Sequence, residues 1–546
     1  FTGQGITREG LSCGGSDATA LSCTGFLASD VDGTLLDVGV QVPQGPGPHP
    51  LVVLLHGWAG SKGSSGDIAD RLLGAGYAVL RYSARGFGDS WGQVNLVDRH
   101  VEIRDLRSMV AQVVDQGRLR LDADAVAITG ASYGGGHSWL ATLEPTFPTP
   151  GGDMVRIRTV VPIVGWSDLL QSLVPNGRSR FSVEPLGGVK TSWVNALFVS
   201  GLRDDPARPY PNYPEYLVRW ESWINTVEPT PADPVWSEIR DGLAGYRSIW
   251  WQRDFWTEAA SHRTPIFVIQ GWTDDLFPPP EAIRMVLALR TVDPGYPVKA
   301  YFGDLGHPRA SNKTGETEHV LARIQTWLDF HLMGDGAQPT HDVVAAITRP
   351  RDRPFDPADV ITVPDWAALA DATVDAAFEG SAVLVNPVDD PRASFFWDPL
   401  VMEGARELEP LPAPPEAATD PASLAVFEIP VSDLATGDLL IAGLPVVRLR
   451  ATSTGVRVQL NARLYDVAPD GTKRLVTRGT VTIEPAPGVP MDVELPTYGN
   501  LWEAGADHVL RLEISNLDSP YIRPSTVPSL TTIEDVTLRV PVRSGG

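Results

Sequence analysis

Three short stretches carry residue types that can do nucleophilic chemistry together. In "GASYGGG" (Gly130–Gly136), Ser132 and Tyr133 stand between glycines directly after the apolar run "AVAIT". In "GWTDDLFPP" (Gly271–Pro279), Asp274 and Asp275 follow the apolar run "IFVIQ". In "VKAYFGDLGHPRA", His307 lies in a glycine-flanked loop after a further apolar run. A serine hydroxyl is a weak nucleophile until a base takes its proton, and a histidine base needs a carboxylate to orient it. A strand, then G-x-S-x-G, then a helix forces the serine into a tight turn with its hydroxyl exposed above a sheet. Serine, acid, histidine is the chain order that accompanies this turn. The chemistry implied is acyl transfer from an ester or amide, with Ser132 as nucleophile, His307 as base and Asp274 as its orienting acid.

Each assignment has a competitor. Ser132 could occupy an ordinary glycine turn. Asp275 competes with Asp274, because neighbouring residues point in different directions. His56 belongs to the loop after the first buried strand, His137 lies inside the nucleophile helix, and His319 and His331 are on the last helix. For His56 a purely structural role in shaping that loop is the simpler reading. Acyl transfer also needs donors for the developing oxyanion. The backbone N–H of Tyr133 is one, and the N–H of Trp58, in the loop after "LVVLLHG", is the other.

The elements around these motifs alternate. "LVVLLHG", "YAVLRYSARG", "AVAITG", "RIRTVVPIVGW", "TPIFVIQG" and "VKAYFGD" read as strands buried on both faces, as in parallel sheets. "LVDRHVEIRDLRSMVAQVVDQG", "PEAIRMVLALR" and "ETEHVLARIQTWLDFHL" have helical spacing. The pattern predicts a doubly wound α/β sheet over residues 1–166 and 263–345. It pauses from Ser167 to His262, an aromatic-rich and helical insertion expected to lie over the carboxyl edge of the sheet, where α/β ligands bind. Trp193, Trp220, Trp223, Trp236, Trp250, Trp251 and Trp256 fall in it; most are expected to form its core, with one or two walling a pocket. Near the start, two apolar runs flank "DVDG", a hairpin signal; the later ligands of a calcium loop do not follow.

Past Gly334 the period changes from helical to alternating. Val456, Val458, Leu460, Ala462 and Leu464 alternate with Arg457, Gln459, Asn461 and Arg463, and "HVLRLEIS" and "VTLRVPV" repeat the pattern. Half-buried antiparallel strands over 350–546 predict a β-sandwich of jelly-roll type. Its expected role is structural, completing a pocket wall, rather than sugar binding.

The net charge of −23 excludes nucleic acid as a partner, since phosphates would be repelled. No run approaches the ~20 apolar residues of a bilayer span. Cys13 and Cys23, the only two cysteines, lie in "LSCGGSDATALSC" and are read as one disulfide, hence an exported chain whose signal peptide has been removed. Two free thiols are the alternative. No Cys/His cluster suggests zinc, and neither metal nor cofactor is expected.

With Ser132, Tyr133, Asp274 and His307 in place, the chain resembles the family of Xaa-Pro dipeptidyl-peptidases and cocaine esterase (CocE/NonD-type hydrolases). That family's relatives include α-amino-acid ester hydrolases and cephalosporin acylases. The resemblance runs through "DGTLL", "PHPLVVLLHG", "RGFGDSWG", "GASYGG", "GWTDDLFPP", the histidine loop and the C-terminal β module. It implies an α/β-hydrolase domain, a helical cap and a jelly roll beside the active site, and a metal-free serine mechanism. Several relatives place a tyrosine hydroxyl in the loop matching "HGW"; Trp58 has none, so a main-chain N–H must serve. The resemblance speaks to the reaction class more than to the substrate. An Xaa-Pro-type peptidase or amidase is the leading expectation, a carboxylesterase or amino-acid ester hydrolase the alternative. The non-enzyme alternative is a glycan- or surface-binding protein on a degenerate hydrolase scaffold.

Overall fold

The structure is a computed structural model that describes residues 9–16, 20–176, 187–203, 210–230, 232–386 and 423–544. The Pro/Ala-rich stretch that begins at Leu408 falls almost wholly outside them. The strands of the larger sheet are β1 (Gly10–Ser16), β2 (Ala20–Ala28), β3 (Leu35–Val42), β4 (His49–Leu55), β5 (Ala78–Tyr82), β6 (Leu121–Ala131), β7 (Thr146–Pro148), β8 (Met154–Ile163), β9 (Ile266–Gly271), β10 (Val298–Gly303), β11 (Val343–Ala346) and β12 (Val360–Val363). Their spatial order is β1-β2-β3-β5-β4-β6-β8-β9-β10-β11-β12, with β7 attached to β8.

From β5 to β11 neighbouring strands run parallel. Helices cover both faces of this region, so its strands read as unbroken apolar runs: Leu51, Val52 and Val53 are wholly buried. The antiparallel hairpin β2–β3 closes at "DVDG", where Asp32 accepts the N–H of Thr34 and Gly33 takes a positive φ of 76°. This is the turn role expected of the aspartates. Cys13 stands opposite Cys23 in the β1–β2 ladder, and the two form a disulfide.

Between β8 and β9 the chain leaves the sheet for helices Leu169–Leu173, Thr191–Gly201, Glu215–Thr226, Pro234–Arg247 and Arg253–His262. The fourth shows why its start is sharp. Asp233 caps it by accepting the N–H groups of Val235 and Trp236, and Pro234 occupies the first helical turn. Trp193, Trp220, Trp236 and Trp250 are buried in the core of this helical layer.

The C-terminal module is antiparallel throughout. A sheet built on Ser529–Arg543 faces a second sheet of Leu424–Pro430, Val509–Ser515, Val458–Val467 and Lys473–Ile483. Two expectations need correction. β12, within the span assigned by sequence to the β module, instead pairs with β11 at the edge of the catalytic sheet. The alternating strand Val458–Val467 has no watered face either: Leu460 and Leu464 enter the sandwich core, yet Gln459, Asn461 and Arg463 are also buried. Their polar face is covered by the rest of the chain. The Arg463 guanidinium lies 3.4 Å from Glu513 and 3.5 Å from Asp518, and the neighbouring Arg457 bonds the carbonyl of Pro229.

Candidate active site

β6 ends at Ala131, and the helix Tyr133–Leu140 starts two residues later. Ser132 joins them at φ 57° and ψ −109°, a conformation of the kind that costs about 1–3 kcal/mol and persists only when its surroundings enforce it. The enforcement is visible. The Ser132 N–H bonds the carbonyl of Ile163, and a Cβ at Gly130 or Gly134 would come within 2.5 or 2.6 Å of the Leu55 carbonyl oxygen. Only glycine lets strand and helix close on β4 here.

Three distant residues meet at this turn. His307 Nε2 lies 3.0 Å from Ser132 Oγ, and His307 Nδ1 lies 2.7 Å from Asp274 Oδ2. A carboxylate can only accept, so Nδ1 carries the proton and Nε2 is left as acceptor for the serine O–H. Asp274 is wholly buried, and its other oxygen accepts the N–H groups of Leu276 and Phe277, each at 2.9 Å. The imidazole is held edge-on by Trp193 from the helical insertion and by Phe277.

Asp275, the competing acid, points away. Its carboxylate pairs with Arg309 at 3.2 Å and with Arg478 of the β module at 3.4 Å. His56 is also accounted for. Its Nε2 accepts the N–H of Ala84 while Nδ1 bonds the Gly57 carbonyl, and burial pulls its pKa down, so it stays neutral and shapes the loop.

Tyr133 opens its helix, and a first-turn N–H has no intrahelical acceptor. Gly57 borders the serine: a Cβ there would lie 3.8 Å from that of Ser132. Trp58 follows, its indole N–H donating to the Leu197 carbonyl at 2.7 Å and its ring packed against Tyr133, Phe87 and Tyr213.

Ser132 and Tyr133 lie in the wall of a cavity of about 960 Å³, counted with its open mouth. Among its other walls are Trp58, Trp166, Phe277, Phe198, Trp220 and Ile239, and among the described residues Glu221 is the one carboxylate on it. Glu221 accepts the side-chain amide of Asn225. Trp220 is the one insertion tryptophan that reaches the cavity.

Sequence reasoning missed Glu102. This buried carboxylate accepts the Tyr133 hydroxyl, the Asn95 N–H and the Val97 N–H, and burial pushes its pKa up to about 7. It ties the residue after the serine to a turn in which Leu96 and Val97 both take positive φ, with Leu96 on the cavity wall. The available signal was an acid on the apolar face of a helix.

A strained serine between strand and helix, on a parallel sheet with a histidine and a carboxylate in reach, defines an α/β-hydrolase. The family described as X-Pro dipeptidyl-peptidase (S15 family) matches residues 32–309, just over half the chain, and its C-terminal non-catalytic domain matches 409–538. The chain belongs to that family and is a serine hydrolase. A CocE/NonD family hydrolase from Staphylococcus aureus superposes with a TM-score of 0.65 at 12% identity, covering 98% of this chain and 97% of the other. An α-amino acid ester hydrolase superposes with a TM-score of 0.62 at 15% identity, covering 99% of this chain and 100% of the other. At such identities these likenesses show the fold. A 2,6-dihydropseudooxynicotine hydrolase of Paenarthrobacter nicotinovorans is 31% identical over 143 residues, 26% of this chain and 34% of that protein. The chain thus spans about a third of the length of such curated relatives.

Proposed function

We propose that the chain hydrolyses a carboxylic ester or amide with a bulky, uncharged acyl group, through an acyl-enzyme on Ser132. The observation that carries this reading is the cavity beside Ser132, walled almost entirely by aromatic and aliphatic side chains. Ser132 Oγ attacks the acyl carbon while His307 Nε2 takes its proton. Asp274 keeps the imidazole in the productive tautomer and stabilises the imidazolium. The N–H groups of Tyr133 and Trp58 receive the oxyanion. His307 then gives the proton to the leaving oxygen or nitrogen, and water, deprotonated in turn by His307, releases the acid. Residues 1–166 with 263–363 form the catalytic unit, 167–262 the cap that walls the acyl site, and the strands from Ala372 onward the supporting jelly roll. The disulfide supports export.

Glu221 favours a second reading, an acyl group that carries an ammonium, as in an Xaa-Pro dipeptide or an amino-acid ester. A panel of benzoyl and hexanoyl nitrophenyl esters, amino-acid esters and dipeptidyl-proline anilides separates the two by kcat/KM. The first reading expects the uncharged esters to lead by at least about tenfold, the worth of one good apolar contact. A lead for the anilides would overturn it in favour of the second.

A further inference from the structure

Lys190 begins the cap helix that carries Trp193, and its side chain is wholly buried. Its ammonium donates to two peptide carbonyls, Asp275 O at 2.6 Å and Leu276 O at 2.9 Å. The amide halves of those same two peptide groups are the N–H donors of Leu276 and Phe277, both bound to Asp274 Oδ1. The positive charge therefore polarises the two dipoles that solvate the buried carboxylate beside His307, and hydrogen bonds in such a chain strengthen one another. The ammonium also lies 5.2 Å from the ring centre of Tyr498 and 5.6 Å from that of Tyr521, both in the β module. Tyr521 donates its hydroxyl to the Asp275 carbonyl as well.

We propose that Lys190 is a positioning residue that, through the 275–276 and 276–277 peptide groups, holds Asp274 ionised and oriented toward His307. The proposal rests on the reading of Ser132, His307 and Asp274 as the reacting groups. The charged or titratable groups facing Lys190 are Asp274 and Asp275 on the acid loop, Glu281 on the following helix, Arg478 in the β module, and the two tyrosines. Burial draws the lysine's pKa down to about 7 against the pull of these carboxylates, so the ammonium prevails below that pH and its effect is read on the acid limb.

The test compares Lys190→Met with Lys190→Arg in pH profiles of kcat and kcat/KM on a nitrophenyl ester, with fluorophosphonate labelling of each protein. Losing the cation weakens the carboxylate and leaves the Asp274–His307 pair holding protons more tightly. Lys190→Met is expected to lose at least about tenfold in kcat with little change in KM, and its acid limb to move up by about one pH unit. Lys190→Arg keeps the charge and is expected to hold the acid limb at the wild-type position. A folded Lys190→Met with wild-type kcat and an unmoved limb overturns the proposal. Should Lys190→Met not fold, Lys190→Arg decides, and a displaced acid limb there overturns it. Labelling of wild-type Ser132 tests the underlying reading separately: without it, that reading fails, whatever Lys190 does.

Discussion

Asp274→Asn isolates the orienting carboxylate at nearly constant shape. Asparagine's single oxygen can keep the Leu276 and Phe277 N–H groups, which both bind Oδ1. Its NH2 then faces His307 Nδ1, 2.7 Å away, where a carboxylate oxygen stood. Two donors cannot bond each other, so Nδ1 becomes the acceptor and the imidazole proton moves to Nε2. There it meets Ser132 Oγ at 3.0 Å, and the base is lost. A wrong tautomer in a serine triad costs about 10⁴ in kcat, roughly 5 kcal/mol of transition-state stabilisation. Stability should fall only modestly, by about 1 kcal/mol, because the Leu276 and Phe277 N–H groups keep their acceptor and only the long 3.3 Å bond from the His307 N–H to Oδ2 is lost. Asp275→Asn should behave oppositely. It removes the charge that faces Arg309 and Arg478, which costs about 3 kcal/mol of stability, while kcat falls less than tenfold. The assay is steady-state ester hydrolysis alongside thermal melting of both variants. Asp274→Asn retaining more than about a tenth of wild-type activity would refute the reasoning, as would an Asp275→Asn protein that is stable but inactive.

Three further outcomes are expected. Activity should decline as pH falls, because the base must be neutral to accept the serine proton; a flat profile down to about pH 4 would remove His307 from that role. Glu221→Leu should leave benzoyl esters at least as reactive and lower kcat/KM for amine-bearing substrates by about tenfold; equal losses on both would show a purely structural role. Glu316 is buried beside Tyr301 and Asp304, and its pKa is raised from 4.5 to about 7, chiefly by burial and then by the Asp304 charge. A raised folded-state pKa means that the folded chain holds the proton more tightly. Its stabilising contribution is complete below pH 4.5 and fades as pH rises to about 7. Glu316→Gln should therefore gain on the wild type by up to about 3 kcal/mol across that window in denaturant titrations, and a constant difference would contradict the assignment.

The turn that holds Ser132 was legible because its constraint is local. The glycines that let β6 and the following helix approach β4 lie within four residues of the serine. Asp274 and His307 were legible through chain order and strand ends. Asp274 was preferred over Asp275 from the strand's end alone, but what occupies Asp275 needed coordinates, since Arg478, which claims it, lies about 200 positions away along the chain. Lys190 was illegible for the same reason: nothing in "GGVKTSW" tells a buried lysine from an exposed helix start. The alternation of Val458–Val467 correctly reported a strand, but alternation cannot tell water from a polar interface, and the Arg463 face packs against acids. β12 was assigned to the wrong sheet because a short apolar strand carries no mark of its partner.

The most direct measurement of the central claim is intact-protein and peptide mass spectrometry after treatment with a fluorophosphonate. One adduct per chain is predicted, on the peptide carrying Ser132, with activity lost in proportion and no adduct on Ser132→Ala. An adduct on any other residue, or full activity in a chain whose Ser132 is quantitatively modified, would contradict it.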